Sequence, residues 1–311
     1  MALMLNEEQL MLKDSAKGFL QQHASVSHLR ALRDSGSKRG YSEELWREMA
    51  EMGWAAILVP ERFGGLGYGY LGIGILLEET GRTLTPNPLH STSMMGVAAL
   101  TKSGTVAQCE GFLRKVANGS HLLALAVNES KRHDPHKIST TAEKSSDGFR
   151  LTGRKTGVVD GHNANTLIVS ARTRGANQDS DGISLFLVPA DHPGVTIEKY
   201  RVLDTFYAAH IDLGNVEVGQ DALLGDLHHG EPVLTSVLDA GVIGQAAELL
   251  GLGQEAFERT VEYLKVRKQF GVAIGSFQAL QHRAAVMFGD LEQCKSIVLH
   301  ALNALDRGDK N

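Results

Sequence analysis

Residues 149–197, FRLTGRKTGVVDGHNANTLIVSARTRGANQDSDGISLFLVPADHPGVTI, decide the fold class. Four short β-rich runs lie in or near this stretch: Phe149-Arg-Leu-Thr152, Thr166-Leu-Ile-Val-Ser170, Ile183-Ser-Leu-Phe-Leu-Val188 and Val195-Thr-Ile197. Turn signals separate them at Asp160-Gly161, Asp181-Gly182 and Pro193-Gly194, and Asp147-Gly148 precedes the first. No helical run intervenes, so βαβ units are excluded and a small antiparallel barrel or sandwich is predicted.

On both sides the period changes to helical. Upstream, Leu10, Ala16, Phe19 and Leu20 recur at helical spacing opposite Glu7, Glu8 and Lys13. Ser42 is placed to cap a helix that begins with Glu43 and Glu44, and Gly53 to end it. A third helix is predicted over Ile73–Gly81, with Pro86-Asn-Pro88 breaking the pattern. Downstream, all seven prolines precede Val233, which leaves the remainder free for long helices. Val237, Leu238, Val242, Ile243, Ala246 and Leu250 form one stripe there, and Glu255 and Arg259 are spaced to pair. A second run extends from Phe277 to about Leu305. The predicted class is α+β: an N-terminal helical domain over 1–120, a middle antiparallel β domain over 121–228, and a partial C-terminal helical bundle over 229–311. Two bundle helices leave Val242, Ile243, Leu250 and Leu280 in need of cover, so an oligomer is predicted.

Composition narrows the function classes. Of 311 residues 42% are hydrophobic and 22% charged, values of a globular protein rather than a disordered one. A net charge of −5 carries no basic excess for nucleic acid or an anionic membrane. Two cysteines, Cys109 and Cys294, form neither a disulfide framework nor a metal spacing. The start turns acidic before any signal-peptide core, and no apolar run reaches the length of a membrane span. A cytoplasmic protein is expected.

Local motifs are few. Gly67-Tyr-Gly69-Tyr-Leu-Gly72 matches a dinucleotide-binding pattern, but Pro60-Glu-Arg-Phe-Gly-Gly stands where a strand is required. His133-Asp-Pro-His136 and His228-His229 have no further ligands at metal spacing. The most specific segment is Tyr263-Leu-Lys-Val-Arg267-Lys-Gln-Phe270-Gly271, followed by Ile274-Gly-Ser-Phe-Gln278-Ala-Leu-Gln281. By composition alone, Lys265, Arg267 and Lys268 complement a helix C-terminus, with Gly271 as its cap.

Taken with its context, this segment resembles the signature of the acyl-CoA dehydrogenase family: an arginine, two residues, Phe-Gly, then an isoleucine and a glutamine-rich helix start. Gly53-Trp54, Val59-Pro60-Glu61 and Gly64-Gly65 resemble the family's N-terminal domain, and Leu151-Thr-Gly153-Arg-Lys155 with Asp160-Gly161 and Ala164 its middle domain. The resemblance covers essentially the whole chain. It implies FAD, α,β-dehydrogenation of an acyl-CoA thioester, an electron-transfer acceptor protein, and a homo- or hetero-oligomer. It implies that Arg267 reaches the FAD pyrophosphate of a neighbouring subunit, that Phe270 packs beside the cofactor, that Gln278 lies near the adenine, and that Asn128 and Val159 meet the flavin. Asp239 occupies an acidic position at the substrate.

Several positions depart from the family pattern. The run that contacts flavin and substrate appears as Asn128-Glu129-Ser130-Lys-Arg-His-Asp134, and an aromatic–Ile–Thr run as Gly157-Val158-Val159. Family members that carry the catalytic carboxylate in the first bundle helix place it where this chain has Gly241, and Glu248 is about two turns further on. The chain is expected to lack the family's last bundle helices, which in many members supply that carboxylate. No catalytic residue and no metal ligand is assigned. The alternative is a non-catalytic or truncated subunit that completes a partner's FAD site.

Overall fold

The computed structural model describes residues 4–203 and 206–309. In chain order the helices are α1 (Glu7–His23), α2 (Val26–Asp34), α3 (Glu43–Glu51), α4 (Tyr70–Thr83), a π-helix (Leu89–Gly96), α5 (Val97–Ser103), α6 (Val106–Ala117), α7 (Glu231–Val266) and α8 (Gln278–Arg307). The strands are β1 (Leu123–Ala126), β2 (Thr141–Lys144), β3 (Gly148–Val159), β4 (Thr166–Arg172), β5 (Ile183–Pro189), β6 (Val195–Arg201), β7 (Tyr207–Gly219), β8 (Leu223–Leu224), β9 (Lys268–Gln269) and β10 (Val272–Ala273). Helices therefore flank a middle β region, as the sequence predicts. Contacts divide the chain into two compact units: one of residues up to 31, 69–85 and from 242 on, the other of 32–68 and 86–241.

In the first unit α4 is buried from Leu71 to Arg82. A helix apolar nearly all round is a core helix, and close packing is built into it. A Cβ on Gly81 would strike the Glu248 carbonyl of α7, and one on Gly251 would strike the Glu78 carbonyl of α4. Gly69 offers no side-chain cap to α4, so Asp306 of α8 accepts from Tyr70 N at 2.5 Å and Leu71 N at 3.0 Å instead. The buried charges are paired: Lys13 meets Glu78 at 2.6 Å, and Arg82 meets Glu255 at 3.0 Å and Glu258. Arg259 bonds Glu255 at 2.7 Å, the pairing read from their spacing. By length and composition α7 is long and apolar enough to cross a membrane, although Asp239, Glu248 and Glu255 interrupt its apolar residues. Its glycine-mediated packing on α4 makes it a bundle helix. Leu250 is buried within the chain, whereas Val242 is 67% exposed.

In the second unit Ser42 Oγ accepts from Leu45 N at 3.2 Å, capping α3 as predicted. Trp46 of α3 donates its indole N–H to the Gly119 carbonyl at 2.9 Å. Eight strands form one sheet, in the order β6-β7-β3-β2-β4-β5-β8 with β1 added against β4. Phe149, Leu151, Val169, Phe186, Val188 and Ile211 lead its core, and the rings of Phe149 and Phe186 meet edge-on at 5.0 Å. Most pairings are antiparallel. β1 and β2 both meet β4 in parallel, because they are not joined to it by hairpins. All seven residues of β4 are buried, as in a strand covered on both faces, and its polar members Ser170 and Arg172 are hydrogen-bonded there.

Candidate functional site

The loop after β1 is held by a buried ion pair. Lys155 of β3 is fully buried, and its Nζ donates to Glu129 Oε1 at 2.7 Å, the Val127 carbonyl at 3.1 Å and Ser170 Oγ at 3.1 Å. Glu129 also accepts the backbone N–H groups of Ser139 at 2.6 Å and Thr140 at 3.0 Å. Burial pushes the Lys155 ammonium down to about 8, opposed by Glu129. Burial alone would raise the Glu129 carboxyl, but the Lys155 charge and these hydrogen bonds hold it below its ordinary value. This brace fixes Asn128, whose carbonyl accepts Thr156 N at 2.7 Å. His133 Nδ1 lies 3.0 Å from Asn128 Oδ1, and among the described residues the Asn128 amide nitrogen bonds nothing.

Val159, the last residue of β3, is 51% exposed. The chain then turns through Asp160 at φ 55°, in the left-handed region where Asp is tolerated. Asp160 Oδ2 accepts from Ser91 Oγ at 2.6 Å. Burial pushes this carboxyl up to about 6, against the Ser91 bond.

Ser91 belongs to the π-helix, which sequence reasoning missed. Pro86-Asn-Pro88 ends α4 as expected, but the chain re-enters helix at once. Four successive polar residues ride on this segment. Thr92 Oγ1 exchanges two 3.0 Å bonds with the backbone of Leu123, and His90 Nε2 lies 2.7 Å from the Gly241 carbonyl. Among the described residues Ser93 Oγ is buried without a partner. The available signal was the run His-Ser-Thr-Ser between Leu89 and Met94: polar residues among apolar ones must find partners when buried.

Arg267, Phe270 and Gln278 fall together in the first unit. α7 stops at Val266, and β9 and β10 form a hairpin whose two turn residues are Phe270 and Gly271, at φ 52° and 81°. Gly271 is thus a turn residue and not a helix cap, because a two-residue hairpin turn requires positive φ at both places. Phe270 is 92% exposed, and its ring meets Phe277 edge-on at 6.3 Å. The Ile274 N–H closes the loop onto the Arg267 carbonyl at 2.8 Å. Among the described residues the Arg267 guanidinium has no hydrogen bond or ion pair. Gln278 opens α8, is exposed, and follows an N-terminus without a side-chain cap. Asn128, Val159 and Asp239 lie in the other unit, and Asp239 is exposed on α7. Among the described residues, no group of three His, Cys, Asp or Glu is arranged to hold a metal ion. The Gly67–Gly72 pattern follows a 3-10 turn at Glu61–Phe63 rather than a strand.

Known proteins share this fold and domain order. Residues 6–120 match the N-terminal domain of acyl-CoA dehydrogenase, 124–209 its middle domain and 228–311 its C-terminal domain. The mitochondrial isovaleryl-CoA dehydrogenase of Pongo abelii is 31% identical over 313 residues, 98% of this chain and 73% of that protein. Subunit CarC of the caffeyl-CoA reductase-Etf complex of Acetobacterium woodii is 29% identical over 97% of this chain and 80% of its own length. Among solved structures, butyryl-CoA dehydrogenase from Megasphaera elsdenii superposes with a TM-score of 0.90 at 26% identity, covering 100% of this chain and 82% of that one. With three domain matches in order and a helix–sheet–helix chain that superposes end to end, this protein belongs to the acyl-CoA dehydrogenase family.

Proposed function

We propose that this chain is an FAD-dependent acyl-CoA dehydrogenase, removing two hydrogens across the α,β bond of an acyl-CoA thioester. The observation that carries the reading is the succession of three family domains over nearly the whole chain. Its electrons pass to an electron-transfer acceptor protein, and it works as a cytoplasmic homo- or hetero-oligomer. The domain limits that go with this reading are 1–120, 121–228 and 229–311.

The residues fit the cofactor. An unpaired guanidinium beside an exposed aromatic ring is a donor set for a phosphate next to a flat heterocycle. Arg267 would hold the pyrophosphate of a neighbouring subunit's FAD, Phe270 would cover an apolar face of that cofactor, and Gln278 would bond near its adenine. In the other unit Asn128 would offer its amide N–H, which among the described residues bonds nothing, to the flavin of its own subunit, and Val159 would offer an apolar surface that excludes water. Asp239 would contact the substrate. When bound, FAD supplies a two-electron acceptor; the protein binds, orients and keeps the site dry.

The test is to purify the chain alone and with the products of neighbouring genes, and to record the visible spectrum. Flavin absorption that bleaches on adding acyl-CoA without oxygen is expected, with a 2-enoyl-CoA as product. No flavin in any assembly, or flavin that no acyl-CoA bleaches, would contradict the reading.

A further inference from the structure

From Leu252 to Ile297 no residue is buried: the end of α7, the β9–β10 hairpin and most of α8 keep accessible surface throughout. What α8 shares with its neighbours lies on one side of it. A Cβ on Gly253 of α7 would lie 3.3 Å from Leu291, and the rings of Phe257 and Phe288 are 6.3 Å apart. Further along, Leu302 closes on Gly74 of α4. Phe288, Leu291, Val298 and Leu302 thus recur at helical spacing as an inner stripe.

A second stripe follows the outer side of the same helix. Ala279, Arg283, Val286, Asp290, Gln293 and Ile297 recur three and four residues apart, and all six are exposed. Val286 is 64% exposed, Ile297 67% and Met287, beside Val286, 45%. The stripe runs about 27 Å at 1.5 Å per residue. Residues spaced in this way form the seam along which one helix packs on another.

The charges on this stripe select the occupant. Elsewhere on α8, Glu292 faces Lys295 at 4.0 Å, Asp306 caps α4, and Arg307 meets Asp309 at 2.7 Å. Arg283 and Asp290 alone among its Lys, Arg, Asp and Glu side chains have no ion pair or hydrogen bond among the described residues. Their own helix offers them none. The residues three and four places along from each are Ala279, Leu280, Val286, Met287, Gln293 and Cys294. Seven residues separate the two from each other, about 10 Å along the axis. Val286 and Met287 stand midway between them. A cation and an anion equidistant from an apolar centre match the same surface turned end to end. That is the isologous contact made by a two-fold axis, in which residue i meets j and j meets i.

We infer that a second copy of this chain docks on the outer face of α8, the two helices running antiparallel with the two-fold axis between Val286 and Met287. Arg283 of each copy meets Asp290 of the other, Val286 meets Met287, and Ala279 meets Cys294. A parallel pair in register sets like charges opposite one another, which disfavours it. None of these residues is assigned to FAD or to acyl-CoA, so loss of the contact leaves the dehydrogenase reading standing.

Sedimentation equilibrium of the full chain tests the pairing by charge exchange, with circular dichroism as the control for folding. Wild type should sediment as a dimer or an even multiple of one. Arg283→Asp and Asp290→Arg each place two like-charge contacts across the axis and should weaken association about tenfold or more. The double variant restores opposite charges and should recover wild-type association. Salt should narrow the gap between the single and double variants. Cross-linking reads the register. In a Cys294→Ser background, the thiol introduced by Val286→Cys lies beside its own mate at the axis, and a short bis-maleimide should join the two chains. In wild type, Cys294 lies about 22 Å from its mate along the seam and should stay unjoined. A monomer, association only with the product of another gene, single variants that associate like wild type, a double variant that does not recover, or cross-linking through Cys294 would each overturn the inference. Flavin absorption and its bleaching are recorded on the same samples: their persistence in a monomeric wild type would overturn the dimer alone.

Discussion

Two cations stand out in the sequence, Lys155 at the end of Leu-Thr-Gly-Arg-Lys and Arg267 at the start of Arg-Lys-Gln-Phe-Gly, and the fold treats them oppositely. Lys155 is fully buried and donates to three oxygens. Arg267 is exposed and, among the described residues, donates its guanidinium to none. The first is committed to the chain's own architecture: it ties the loop of Asn128 and Glu129 to the sheet. The second is held by backbone bonds alone, with an exposed phenylalanine at positive φ beside it. A cation whose hydrogen bonds are complete positions other groups, and one left unpaired is available to a ligand.

The comparison breaks first at the brace. Glu129→Ala leaves the Lys155 ammonium buried without its countercharge, and breaking a buried pair costs about 3–5 kcal/mol. The urea midpoint should fall accordingly, and the amides of Ser139 and Thr140 should exchange faster with solvent. A midpoint within about 0.5 kcal/mol of wild type, the scale of a surface substitution, would mean that the pair is dispensable.

Asp160 gives the next effect, through pH. Burial raises its folded pKa to about 6, above the ordinary 3.8 of an aspartate. Its contribution to stability is therefore full below the unfolded pKa and is lost as pH rises through about 6. Asp160→Asn removes the titration, keeps an acceptor for Ser91, and tolerates the left-handed backbone. It should match wild type near pH 4 and be more stable at pH 8 by about 1–3 kcal/mol. Equal stabilities at both pH values would show that Asp160 ionises freely.

The smallest effect sharpens the hairpin's side of the comparison. Phe270→Gly relieves a left-handed non-glycine residue, worth about 1–2 kcal/mol. It also removes an exposed ring, so the variant should melt higher while binding FAD more weakly. Higher stability with unchanged FAD affinity would detach Phe270 from the cofactor.

Much of this fold was legible because it is local. Ser42 capped its helix, the turn dipeptides fell between strands, and the proline-free end formed α7 and α8. The parallel pairing of β1 and β2 with β4 was not legible, since register between distant strands leaves no local mark. Nor was the π-helix, whose polar run has no apolar period. At the site, Arg267 was prominent because its neighbours form one contiguous signature. Lys155 and Glu129 were each visible, but 26 residues separate them and only folding pairs them. His90 went unread because its partner is a backbone carbonyl 151 residues away.

Arg267 offers the most direct measurement of the cofactor assignment: FAD titrations of wild type, Arg267→Ala and Arg267→Lys in the assembly that binds flavin. Hydrogen bonds to charged groups contribute about 1.5–3 kcal/mol, so alanine should weaken FAD about tenfold to a hundredfold. Lysine should recover part of this, since an ammonium lacks the planar fork, and the urea midpoint should move little in either variant. Equal FAD affinities in all three proteins would contradict the account and leave Arg267 as nothing more than the cationic end of a helix.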